Sequence, residues 1–477
     1  MAEMEMHLER TVPEILMLGL AMLLLVLDLL LPRGTRKILG VIAIAGTAVT
    51  GISLSLLGKG PALAGLFLVD DVAIFFKWLF VVTAVFIFYM AMSYEERIKA
   101  WKGEFYTLIA FAVLAMMLLA SCSDLISFYV SLEFMAICLY VLAAFAKDER
   151  RSVEAGLKYL ITGALASGFL LYGMSFLYGA TGTTSFAGMA DALRGEADVG
   201  AYLLVGLAFT IMGLTFKISS LPFHVWAPDV YQGSPAPVTA LLAAGSKAAG
   251  FVVMLRILLT ALGPVKAEWA AFVALLSGLT MIFGNMAAMP QKDIKRLIAY
   301  AGIGSAGYLL MGVAAASTLG AGAIMFYLLA YLFGIVGAFL VIIIFSNAEG
   351  TDSIEAYAGL SRRSPLLAGT LFIALLSLVG VPPLAGFIAK FYLIAAAVKE
   401  GLIVLAIVGL VMAIVTMYYF LLVIKSVYLR EPTSDEPIRL DPVTRAVLYT
   451  VNVATLFLGI YPGPVTDWVM LIAGELF

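Results

Sequence analysis

The sequence predicts an all-α integral membrane protein of about fourteen transmembrane helices, with two inverted five-helix repeats and broken helices at spans seven and twelve. Three observations lead there. Hydrophobic residues fill 63% of the 477 positions and charged residues only 13%, with a mean hydropathy of +1.06; soluble domains run at about 45–50% apolar and about 25% charged. Apolar runs as long as a bilayer is thick recur along the whole chain. Two of those runs are interrupted by proline, each close to a lysine.

The first run follows the acidic segment MAEMEMHLER, which lacks the basic start of a signal peptide, so it reads as a retained span. The expected spans are 12–31, 38–57, 69–92, 104–120, 124–146, 153–179, 201–223, 237–261, 269–288, 295–315, 321–345, 365–397, 402–429 and 447–476. The last is interrupted by Tyr461-Pro462-Gly463-Pro464. Together they divide the chain into an N-terminal three-helix region (1–103), a first repeat (104–261), a second repeat (269–429) and a C-terminal helix region (430–477).

Orientation follows from the turns. Arg33, Arg36 and Lys37 follow the first span, Arg97, Lys99 and Lys102 the third, and Lys147, Arg150 and Arg151 the fifth. Lys292, Lys295 and Arg296 follow the ninth, Arg362 and Arg363 the eleventh, and Arg430, Arg439 and Arg445 the thirteenth. The turns between carry at most one basic residue, such as Lys59, Arg194, Lys266 or Lys399. The positive-inside rule then places both termini on the outer side.

Composition also excludes chemistries. Lysine and arginine total 29 against 31 acidic residues, with no basic block to bind nucleic acid. Two cysteines, Cys122 and Cys138, are too few for an iron–sulfur cluster and read as small packing residues. Two histidines, His7 and His224, cannot form a bis-histidine haem site, because His7 precedes every span. No glycine-rich phosphate loop follows a strand. No cofactor or metal is expected in this chain. What remains is moving something across the membrane, or holding other subunits in it.

An ionisable side chain at bilayer depth costs about 2.5–3.5 kcal/mol on insertion scales, so it needs a partner or a hydrated cavity. Glu133 (SFYVSLEFMAICLY), Lys217 (GLTFKISSLPFHVW), Lys247 (LLAAGSKAAGFVV) and Lys390 (PPLAGFIAKFYLI) lie well inside apolar runs. Lys77 and Arg256 are nearer span ends, where a long side chain is expected to snorkel to the interface. A lysine in low dielectric holds its proton less tightly and a nearby carboxylate restores the grip, so lysines beside a glutamate can pass protons. Arginine cannot.

The breaks are Ser219-Ser220-Leu221-Pro222-Phe223 in span seven and Gly380-Val381-Pro382-Pro383-Leu384-Ala385-Gly386 in span twelve. Pro222, Pro382 and Pro383 free carbonyls that need partners, and such breaks survive in membranes only inside protein or beside water. Paired breaks in two halves point to an inverted-repeat transporter. His224 could serve the relay or be a hydrogen-bonded structural residue at the break. Asp229 reads as a loop cap. Glu154 and Lys158, four apart on one helix, could pair or modulate the Glu133 charge. The run GALASG reads as a close-packing face.

The run FKISSLPFHVWAPDVYQGSPAPVTALLAAGSKAAGF resembles the central signature of the antiporter-like subunits of respiratory complex I. Within them, WAPDVYQGSPAPVTA is most similar to the subunit N family of bacterial NADH-quinone oxidoreductases. EAGLKYLITGALASGFLLYG, KDIKRLIAYAGIGSAGYLLMG and GVPPLAGFIAKFYL extend the resemblance over essentially the whole chain.

The resemblance implies a proton-translocating subunit of the bacterial plasma membrane, beside other membrane-arm subunits, including K and M, and the lipid bilayer. It implies that flavin, iron–sulfur clusters and quinone belong to partner subunits. It assigns Glu133 and Lys217 as a coupled pair, Lys247 as the central relay, and Lys390 as the second broken-helix lysine. A lysine there, where subunit M carries glutamate, agrees with subunit N. Ser305 departs from the pattern: many relatives carry His or Gln there. Its small hydroxyl would need a water to pass a proton between Lys247 and Lys390. The alternative is a subunit of a multi-subunit sodium/proton antiporter; a scaffold without a conducting path fits four deep ionisable residues poorly.

Overall fold

The computed structural model describes residues 6–32, 37–94, 102–194, 200–432, 434 and 436–477. Of the basic turns, Arg33, Arg36, Arg97 and Lys99 lie outside the described residues, as do the side chains of Lys37 and Lys102.

Helices dominate because apolar backbone in a bilayer must satisfy its own hydrogen bonds. Among the described residues, eleven helices are long and apolar enough to cross a membrane, and three shorter apolar helices accompany them. In chain order they begin with α1 (Val12–Leu30), α2 (Lys37–Leu54), the hairpin β1 (Gly60–Ala62) and β2 (Phe67–Val69), α3 (Asp71–Tyr94) and α4 (Lys102–Ser121). Next come α5 (Leu125–Ala143), α6 (Arg150–Thr181), α7 (Phe186–Leu193), α8 (Ala201–Lys217) and α9 (Trp226–Gly233). α10 (Ala236–Leu241) and α11 (Lys247–Leu255) belong to one continuous helix, interrupted by π-helical turns at Leu242–Ser246 and Arg256–Ala261. Then follow α12 (Lys266–Ala288), α13 (Ile294–Ala314), α14 (Thr318–Glu349) and α15 (Leu360–Arg363). The chain ends with α16 (Pro365–Val379), α17 (Ala385–Lys399), α18 (Ile403–Leu429), α19 (Pro442–Ile460) and α20 (Gly463–Ala473).

Both expected breaks are present. Regular helix stops at Lys217 and resumes at Trp226, and it stops at Val379 and resumes at Ala385. The final run is also divided, between Ile460 and Gly463.

Two compact units form: Met1–Ile218 with Gly233–Trp269 and Ile472–Phe477, and Ser219–Gln232 with Ala270–Leu471. In the first, α1 packs on α2 and α4, α4 on α5, and α6 on α8, while α10 and α11 run through the fully buried centre. In the second, α14 is the buried core, packed by α13, α16, α17 and α19. Cys122 and Cys138 are buried free thiols.

Two charges depart from expectation. Lys77 does not snorkel: it is 1% exposed and pairs with Glu14 of α1 at 2.7 Å. Arg256 is equally enclosed, its guanidinium bonding both Asp70 carboxylate oxygens at 3.0 and 2.7 Å and the Ala120 carbonyl at 2.7 Å. Each basic residue found an acid on another part of its own unit, buried Glu14 for Lys77 and half-buried Asp70 for Arg256, which removes any need to reach the interface.

Candidate functional site

In the first unit the site begins on α5. Glu133 is half-buried, and its Oε1 accepts a hydrogen bond from the Ser167 hydroxyl of α6. It lies near enough to act electrostatically on both Lys217 and Tyr140. Lys217 closes α8, so its ammonium sits at the carbonyl-rich end of a helix, where positive charge is favoured. That ammonium lies 5.6 Å from the Tyr140 ring centre and 5.3 Å from Phe216. Tyr140 meets Tyr159 edge-on at 4.7 Å, and Tyr159 stacks on Phe216 at 5.6 Å, completing an aromatic cage. Gly163, from the small-residue run on α6, makes room for it: a Cβ there would fall 1.9 Å from the Tyr140 hydroxyl. Within the cage Lys217 Nζ and Tyr140 Oη are buried without a hydrogen-bond partner among the described residues. A buried ammonium in that state calls for water or a mobile proton acceptor.

Lys247 is fully buried, directly after the π-helical turn at Leu242–Ser246. Such turns misalign the helical ladder and recur at functional sites. One turn on, Gly250 lets α11 approach the end of α8 closely. A Cβ there would lie 2.7 Å from Ile218 Cγ2 and 3.4 Å from Lys217 Cβ.

In the second unit Lys390 of α17 is 6% exposed. The break in front of it supplies its partner. α16 ends at Gly380, whose φ of 89° is left-handed backbone that glycine adopts without strain. That turn leaves the Val379 carbonyl open, and Lys390 Nζ donates to it at 2.8 Å. The lysine stem runs over Gly380, where a Cβ would lie 3.0 Å from Lys390 Cδ. The ammonium stands 4.4 Å from the ring centre of Tyr308 on α13.

Two cavities of about 10 Å³ each flank Lys390. One is lined in part by Asn285, Ser305, Tyr308, Tyr331 and Thr416; the other by Tyr327, Tyr331, Ser377 and Gly386. That volume is about the least that holds one water. Ser305 donates to the Ala301 carbonyl at 3.0 Å. Asn285 Oδ1 accepts from Thr416 at 2.6 Å and from Tyr419 at 3.1 Å.

The auxiliary candidates fall elsewhere. His224 is half-exposed, 3.2 Å from the Pro222 carbonyl and edge-on to Phe283 at 4.4 Å, contacts suited to a structural residue at the break. Asp229, in the first turn of α9, accepts from Arg296 at 2.6 Å. Glu154 and Lys158 form an intrahelical pair at 2.8 Å with both side chains exposed. Sequence reasoning missed Tyr140, Ser167, Tyr308, Tyr327 and Asn285, because aromatic and small polar residues inside apolar runs look like packing.

The family profile described as NADH:quinone oxidoreductase/Mrp antiporter, TM, matches residues 122–416. A protein of Moorella thermoacetica named NADH-quinone oxidoreductase subunit N is 42% identical over 471 residues, covering 97% of this chain and 98% of that one. Among solved structures, a chain of respiratory complex I from Thermus thermophilus with bound aureothin superposes with a TM-score of 0.81. It is 35% identical and covers 95% of this chain and 98% of its own. A chain of the Mrp complex from Dietzia shares the fold, with a TM-score of 0.82 at 22% identity and 98% coverage of both chains.

Proposed function

The chain belongs to the subunit N family of NADH-quinone oxidoreductases, and from that premise we propose that it moves protons through a buried Glu/Lys relay driven by quinone reduction elsewhere in the complex. The chain is then a translocase component without a redox centre of its own, and flavin, iron–sulfur clusters and quinone sit in partner subunits. The relay comprises Glu133, Lys217, Lys247 and Lys390.

The observation that carries this reading is the burial of three lysines within apolar helices, two of them at helix breaks, with Glu133 coupled electrostatically to the first. Lysine can release its proton in such a setting and arginine cannot. The water-sized cavities at Lys390 support proton access there, and Ser305 on the wall of one allows a water in place of a longer side chain. We further read the architecture as fourteen membrane helices with inverted repeats at 104–261 and 269–429. The same reading places both termini on the outer face of a bacterial plasma membrane, with subunits K and M among the neighbours. The sodium/proton antiporter alternative rests on a likeness at 22% identity, which carries fold alone.

The test replaces Lys217 or Glu133 with alanine in the intact complex. Proton pumping and quinone-linked turnover fall together while assembly is retained. An assembled Lys217→Ala complex that pumps like the parent would sink the relay.

A further inference from the structure

Among the described residues, no carboxylate lines the two cavities at Lys390; apart from the lysine, their titratable groups are Tyr308, Tyr327 and Tyr331. The surrounding helices contribute Asn285 from α12, Ser305 and Tyr308 from α13, Tyr327 and Tyr331 from α14, Ser377 from α16, and Thr416 from α18. All of these are neutral dipoles or rings. An ammonium has three donors. The Val379 carbonyl takes one at 2.8 Å, and the two small cavities offer places for the others. One electron-rich surface remains: the face of Tyr308, 4.4 Å away, against 5.3 and 5.6 Å for the rings around Lys217.

That ring is fixed in place. Tyr308 is 1% exposed, and its hydroxyl donates to the Gly409 carbonyl of α18 at 2.5 Å. Gly409 is itself packed on it, since a Cβ there would lie 3.4 Å from Tyr308 Cε1. An aromatic face held within about 6 Å attracts a cation, more strongly when both are removed from water.

We propose that Tyr308 is a positioning residue for Lys390: its ring face, locked by Gly409, stands in for the missing carboxylate and holds the ammonium against the Val379 carbonyl. The inference rests on the relay reading above. It assigns to this half of the relay a stabiliser that has no charge of its own. A proton leaving Lys390 therefore leaves behind no buried anion, and recharging the lysine needs no compensating ion.

The test is a series at position 308 in the assembled complex: phenylalanine, then phenylalanines carrying one, two and three ring fluorines. Fluorine drains the negative face with little change of shape, so the ring's pull on a cation weakens step by step. The alkaline limb of the pH profile for proton pumping moves to lower pH with each step, by about one pH unit across the series. Lys390→Met is measured in parallel. A flat series beside an inactive Lys390→Met complex overturns the role of Tyr308 and leaves the relay standing. A Lys390→Met complex that pumps normally overturns the relay at this lysine and the Tyr308 proposal with it. Should Tyr308→Phe impair assembly, fluorinated tyrosines, which keep the Gly409 hydrogen bond, give the same graded readout.

Discussion

The Glu14–Lys77 pair separates two physical pictures of a charge in a membrane helix. Lys77→Met keeps the length and apolar stem of the side chain and removes only the ammonium. If Lys77 snorkelled, the change would cost about as little as losing an exposed ion pair, about 0–1 kcal/mol. The geometry says otherwise: Nζ and Oε1 are 2.7 Å apart, the side chains are 1% and 7% exposed, and Glu14 Oε2 already lacks a partner among the described residues. Removing the lysine strands a carboxylate, and breaking a buried pair costs about 3–5 kcal/mol. The assay is thermal inactivation of the purified complex in lipid nanodiscs at pH 7, with the level of assembled complex as a second readout. Glu14→Leu combined with Lys77→Met recovers most of the loss, because no charge is left buried. A Lys77→Met complex with parental stability at pH 7 would refute the reasoning.

Three further outcomes follow from the geometry. Gly380→Ala forces a side chain onto backbone at φ 89° and puts its Cβ 3.0 Å from Lys390 Cδ; turnover and pumping fall, while Gly369→Ala, with open space around it, leaves both unchanged. Ser305→His assembles if the cavity of about 10 Å³ beside it holds a water that the ring can displace, and loss of assembly in that variant shows the gap to be tightly packed and dry. Asp441 caps α19 through the Val443 and Thr444 amides, and its hydrogen bond with the Thr444 side chain holds its carboxyl below the usual range. Asp441→Ala therefore costs about 1 kcal/mol of thermal stability at neutral pH. The cap's contribution is present above the ordinary carboxylate range and fades as pH falls through the depressed folded value, so variant and parent converge in acid.

What could be read in advance was local. Pro222 and the Pro382-Pro383 pair announced the breaks, because proline inside an apolar run cannot continue a regular helix. Lys217, Lys247 and Lys390 stood out because their insertion cost marks them. What could not be read was pairwise. Nothing around Lys77 names Glu14, and nothing around Arg256 names Asp70; burial of each depends on a partner that only packing supplies. The pairing of Asp229 with Arg296 was hidden for the same reason, since Arg296 lies on another helix. Tyr308 was invisible because a buried aromatic in a membrane helix is ordinary. Its meaning comes from the 4.4 Å to an ammonium and from the carbonyl that pins it.

The two helix breaks solve one electrostatic problem in different ways. At α8 the lysine is itself the last helical residue, so its charge rides on the carbonyl end of its own helix. At α16 the charge arrives from the next segment: Lys390 on α17 reaches back to the Val379 carbonyl that the turn at Gly380 left open. The first arrangement leaves Nζ without a hydrogen-bond acceptor among the described residues and the second supplies one. In the proposed relay Lys390 would take up and release a proton, and its two contacts answer differently: the Val379 carbonyl can accept from the amine in either state, while the Tyr308 ring favours the charged form without placing an anion beside it. Glu133, half-buried beside Lys217, supplies the opposite kind of control, because its charge acts at a distance on a lysine that no described acceptor anchors. In the relay proposed above, the asymmetry would make Lys217 the member that answers a change of charge nearby, and Lys390 the member governed by the packing around it.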